Sequence, residues 1–144
     1  MTDVPANYVR QLTYSDARVA LDAALAKAAE IGVSSSIAIL DAGREIIAFA
    51  RHEKALLITG EMAIGKAYAA RSVNGPSSQL EEATKPSGPF WGLQHGVSAR
   101  LVTFGGGFPI VLDGYIVGAI GVGGGTIDDD TQVATAGLAA LEGH

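Results

Sequence analysis

Glycine placement constrains this chain more than any other feature of its sequence. The 19 glycines among 144 residues are about twice the average share of roughly 7%. Many fall in the last third, where three β-rich runs occur: Arg100–Phe104, Phe108–Leu112 and Tyr115–Val122. Gly105-Gly-Gly107 separates the first two runs and Asp113-Gly114 the second pair. An Asp-Gly pair between two such runs is a hairpin signal, because both residues tolerate positive φ. Strands joined in this way pair antiparallel. Gly123-Gly-Gly125 precedes a helix start, a place where phosphate can bind. Three aspartates follow it, Asp128, Asp129 and Asp130, and would repel an anion; no Walker lysine accompanies it. The glycine clusters therefore read as tight turns and close strand packing.

The first two thirds supply the remaining elements. Thr13-Tyr-Ser-Asp16 reads as a capping box opening an alanine-rich helix that Gly32 stops after Ile31. Ser35–Leu40 and Glu45–Arg51 are β-rich runs joined by Asp41-Ala-Gly-Arg44, a second hairpin. Leu56–Ala70 returns to helical spacing and Asn74-Gly-Pro76 ends it. Ser77–Glu82 suits a short helix, Lys85–Pro89 a loop, and Thr126 the N-cap of a last helix through Leu141. The expected order is α-β-β-α-(α)-β-β-β-α. This is an α/β (α+β) chain with a five-stranded antiparallel sheet covered by helices. A single domain over residues 12–144 is expected behind a polar N-terminal arm, residues 1–11.

Composition removes several function classes. With no cysteine there is no disulfide framework, thiolate metal site or cysteine nucleophile. A net charge of -5 argues against nucleic acid as a partner, which calls for a basic face. The opening residues carry no apolar signal region, and no run approaches the ~20 apolar residues of a membrane span. A cytoplasmic protein without a membrane partner is expected. The mean hydropathy of +0.27 leaves more apolar surface than a small monomer readily hides, which predicts a homo-oligomer.

Val102-Thr-Phe-Gly-Gly-Gly-Phe-Pro109 and Val117-Gly-Ala-Ile-Gly-Val-Gly-Gly-Gly-Thr126 resemble the GlcG/HbpS family, also called the haem-degrading domain family. That family includes the C-terminal domain of PduO-type proteins. Ile39-Leu-Asp-Ala-Gly43, Gly65-Lys-Ala-Tyr-Ala69 and Gly88-Pro-Phe-Trp-Gly-Leu93 carry the same likeness, which covers about residues 12–141. The resemblance implies a profilin-like sandwich, assembly into dimers, tetramers or octamers, and haem as a possible cofactor. It also implies haem degradation in some members and, in others, a place beside catabolic genes. The chain departs from the family pattern at Arg51-His-Glu-Lys-Ala55, where Arg-Met-Asp-Gly-Ala is usual. It departs again at Lys66-Ala-Tyr-Ala-Ala70, where a threonine is lost. The first change places ionisable His52 and Lys54 where many relatives have neutral residues.

Of the three histidines, His144 is the terminal residue, which leaves His52 and His95. Either imidazole could ligate haem iron or act as a general base near neutral pH. The plain alternative is a solvated histidine at a strand end or in a loop. Lys66 sits in an apolar helix; it could meet a carboxylate or propionate, or simply pair with Glu61 or an aspartate. Arg51 and Arg100 are further anion partners, and Glu53 or Glu61 could orient a histidine. Phe90 and Trp91 suit a pocket wall or an oligomer contact. No local spacing marks a protein-held metal, and no serine-hydrolase signature is present.

Three functions follow. The first is a haem- or tetrapyrrole-binding protein, with His52 or His95 at the iron, Lys66 and arginines at the propionates and Trp91 on the ring. The second is a cofactor-independent catabolic enzyme, with His52, His95 and Lys66 acting on a small carboxylic or aromatic metabolite. The third is a non-catalytic sensor or assembly module.

Overall fold

The computed structural model describes residues 10–98 and 100–144; the expected N-terminal arm lies outside them except for Arg10 and Gln11. Helix α1, Tyr14–Ile31, opens on the expected capping box: the Asp16 N–H donates to the Thr13 hydroxyl and the Thr13 N–H to the Asp16 carboxylate, both at 3.0 Å. Gly32 closes it in the left-handed conformation, φ 73°, with its N–H turned back on the last carbonyls. Strand β1, Ser36–Asp41, and strand β2, Ile46–Arg51, form the first hairpin. Helix α2, Leu57–Val73, follows and ends at Asn74, also left-handed. A 3₁₀ turn, Ser77–Leu80, runs into two single-turn helices, α3 (Glu81–Thr84) and α4 (Leu93–Gly96). Strand β3, Gly107–Leu112, and strand β4, Tyr115–Gly123, meet through Asp113 and Gly114, whose φ values of 52° and 81° suit the tight hairpin turn their identities call for. Helix α5, Ile127–Leu141, starts on a second capping box, Thr126 with Asp129.

The sheet has four antiparallel strands in the order β2-β1-β4-β3, not the five expected. Arg100–Phe104 is the run that fails to become a strand. Its backbone instead crosses α2: the Val102 N–H donates to the Gly65 carbonyl at 3.2 Å, and Leu101 is buried. A side chain at Gly65 would sit 2.6 Å from the Arg100 carbonyl, so the crossing needs a glycine there. Apolar β-formers mark a buried extended segment, and they do so whether its neighbour is a strand or a helix.

Helices cover both faces. On one, α1 and α5 pack on each other and on Ile37, Ile39, Val117, Ile120 and Val122. On the other, α2 lies against β1, β4 and β3 with Leu40, Ala67, Ala70 and Ala119 between them. On the helix side this second interface is built mainly of small residues. A Cβ on Gly121 would stand 2.0 Å from the Ala63 carbonyl oxygen, so the glycine sets how closely α2 approaches the sheet. Among the described residues no helix is long and apolar enough to cross a membrane.

Candidate functional site

The ionisable residues marked by the sequence fall into separate environments. Lys66 points from α2 into the interior and is fully buried. Its ammonium donates to the Val122 carbonyl and to Asp130 Oδ2, each at 2.8 Å, and stands 5.2 Å from the centre of the Phe104 ring. Asp130, 1% exposed, also accepts from the Gly125 N–H at 3.0 Å. Burial pushes the Asp130 carboxyl above the ordinary carboxylate range, against the opposing pull of Lys66 and the Gly125 N–H. Lys66 thus ties α2 to the start of α5 and lines none of the cavities that hold the histidines.

Asp130 is not singled out in the sequence, where it stands as the last of three consecutive aspartates. Asp129 completes the cap, while Asp130 lies on the inward stripe with Val133, Ala134, Gly137 and Leu141. That helical spacing was the signal.

His52 follows β2. Its Nδ1 accepts the Lys54 N–H at 3.0 Å, which leaves the neutral ring's proton on Nε2. It lines a cavity of about 380 Å³ with Leu25, Ala28, Val33, Ser35 and Lys54. Arg51 and Glu53 beside it are exposed and line no part of that cavity.

His95 stands on α4, in a different cavity of about 360 Å³ shared with Thr84, Trp91, Gly92 and Gln94. Trp91 is 68% exposed and Phe90 60%, an unusual display of aromatic surface on one loop. Among the described residues the His95 imidazole has no hydrogen-bond partner. Glu61 and Arg100 line a third, open groove of about 480 Å³ on the outer side of α2, floored by Ile58, Met62 and Val102. The Arg100 guanidinium also lies 5.8 Å from the Tyr68 ring centre. The structure therefore joins Trp91 with His95 and Glu61 with Arg100, and it separates His52, His95 and Lys66. Among the described residues no three His, Cys, Asp or Glu side chains converge as a metal-ligand group.

A helix-covered antiparallel sheet with small cavities around its helical layers defines an α+β domain. The chain belongs to the HbpS-like family of haem degrading proteins, whose family model matches residues 12–139. The Klebsiella pneumoniae protein ORFY superposes with a TM-score of 0.90 at 27% identity, covering 100% of this chain and 98% of that one. The PduOC:haem complex superposes with a TM-score of 0.86 at 29% identity, covering 91% and 95%. The corrinoid adenosyltransferase PduO of Salmonella typhimurium is 30% identical over 131 residues, which are 90% of this chain and 39% of the enzyme. This chain thus spans well under half of PduO.

Proposed function

We propose that this protein binds haem or a related tetrapyrrole on the Phe90–His95 loop, with the His95 imidazole as axial ligand and the Trp91 indole against the ring. The observation that carries the reading is the shared cavity of Trp91 and His95, with both side chains exposed to an incoming ligand. An imidazole nitrogen is a common axial ligand for haem iron, and a flat aromatic face suits a flat apolar macrocycle, so this donor set fits the group. Bound haem would supply redox chemistry at its iron; the protein's part is to hold and shield it. Membership of a haem-degrading family and the likeness to a haem complex support the reading.

Lys66 is held by Asp130 and has no part in this reading, while Arg100 lines a separate open groove, free of a carboxylate partner among the described residues. Binding is favoured over acid-base turnover because His95 lacks an orienting partner among the described residues, as a general base normally has. The exposed apolar side chains of Leu56, Leu57 and Ile58 at the start of α2 support a homo-oligomer that covers them.

Haemin titration followed at the Soret band tests the proposal. Wild type is expected to saturate, His95→Gly to lose the shifted band, and added imidazole to restore it. Loss of the band in His52→Ala with His95→Gly unaffected would overturn the placement.

A further inference from the structure

The Ser35–His52–Lys54 cavity has no part in the haem reading, and each of its polar side chains, Ser34 included, can donate a hydrogen bond while none carries a negative charge. Ser35 is 1% exposed, and its hydroxyl has no hydrogen-bond partner among the described residues. Leaving a buried hydroxyl unpaired costs about 1–3 kcal/mol, so such a group calls for an occupant. Its direction follows from the strand alternation. Ser36 faces α2, where its Oγ meets the Thr59 hydroxyl at 2.9 Å, and Ile37 faces the α1–α5 core. Ser35 therefore shares the α1 side with Ile37, the side on which the cavity is walled by Leu25 and Ala28 of α1.

The other polar side chains at its mouth are donors as well. His52 Nδ1 is occupied by the Lys54 N–H, so Nε2 presents a proton in either charge state. Lys54, which carries an ammonium, and Ser34, which adds a second hydroxyl, line the same cavity. The C-terminal end of α1 is nearby, and a free helix C-terminus repels anions. Here the Ala28 and Ala29 carbonyls are already taken, by the Val33 N–H at 2.9 Å and the Gly32 N–H at 3.2 Å. Ser35, His52 and Lys54 thus line one cavity together with an apolar wall of Leu25, Ala28 and Val33.

We infer that this cavity binds a small monocarboxylate with an apolar tail. The carboxylate accepts from Ser35, His52 and Lys54, and the tail lies on α1. The site is independent of haem, and nothing in its geometry requires the His95 loop.

The test is an amide chemical-shift titration of the full chain with benzoate, with benzamide as the uncharged isostere and inorganic phosphate as the tailless anion. Benzoate is expected to give saturable shifts confined to residues around 28–35 and 52–54, with benzamide at least about tenfold weaker and phosphate weaker still. Ser35→Ala and Lys54→Ala should each weaken benzoate about tenfold, the usual worth of a hydrogen bond to a charged partner. Ser35→Ala removes an unpaired hydroxyl and is expected to fold, which its amide spectrum reports directly. Equal affinity for benzoate and benzamide, preference for phosphate, or unchanged affinity in Ser35→Ala would each overturn the inference. Failure here leaves the haem titration untouched, because its ligand and its perturbed residues are different.

Discussion

Lys66 and His95 are both ionisable residues that stand out in the sequence, and the structure treats them in opposite ways. Lys66 is sealed between α2 and α5, with its charge met by Asp130 and the Val122 carbonyl. His95 stands on a one-turn helix in an open cavity beside an exposed tryptophan. The difference teaches that a charge inside an apolar helix marks a structural lock when a partner lies on another element's buried stripe. An ionisable side chain on a short loop segment among exposed aromatics remains available to a ligand.

The largest effect should come from breaking the lock. Lys66→Ala leaves Asp130 buried without its partner and is expected to cost about 3–5 kcal/mol in urea unfolding. The double variant Lys66→Met with Asp130→Leu should recover most of that loss, since a buried pair is often replaced by apolar residues at little cost. If Lys66→Ala unfolds like wild type, the lock is not what holds α2 to α5. Gly121→Val comes next. Its side chain would meet the Ala63 carbonyl oxygen, and the overpacking should cost about 3 kcal/mol by the same measurement.

The fold was legible wherever local chemistry decides conformation. The capping box at Thr13, the N-cap at Thr126, the stop at Gly32 and the Asp113-Gly114 turn all form as their residues require. The missing strand was not legible, because Arg100–Phe104 has strand composition and only the shape of α2 at Gly65 diverts it. The sites divided along the same line. His52 and His95 were visible as residue types, but which side chains share a cavity depends on how the loops fold. Asp130 and Ser35 were not legible for a different reason: each is a polar residue on a buried face, and only the packing shows what that face meets.

Smaller effects sharpen the contrast between paired and free charges. Burial raises the Asp16 carboxyl, but the Thr13 N–H and hydroxyl and then Arg10 outweigh it, so its folded value lies below the ordinary one. Its contribution is complete above the unfolded carboxylate value and is lost as pH falls through the folded one. Asp16→Ala should therefore cost about 1 kcal/mol near neutrality, with the gap to wild type closing in acid, as thermal unfolding across pH will read. Asp130 has the opposite sign. Its raised value means that stability falls as pH rises from the unfolded carboxylate value through the folded one, and the Lys66→Met, Asp130→Leu double variant should lack that slope. The smallest stability change belongs to Trp91→Ala, within about 0.5 kcal/mol because the indole is exposed, although haemin affinity should drop about tenfold.

The most direct test sets His95→Ala against wild type, with haemin affinity and thermal unfolding measured on the same preparations. An open ligand-facing histidine predicts an unchanged melting temperature and loss of the saturable Soret shift. A lowered melting temperature with haemin binding intact would contradict the account, for it would make His95 a structural residue and leave the Trp91 cavity without a ligand.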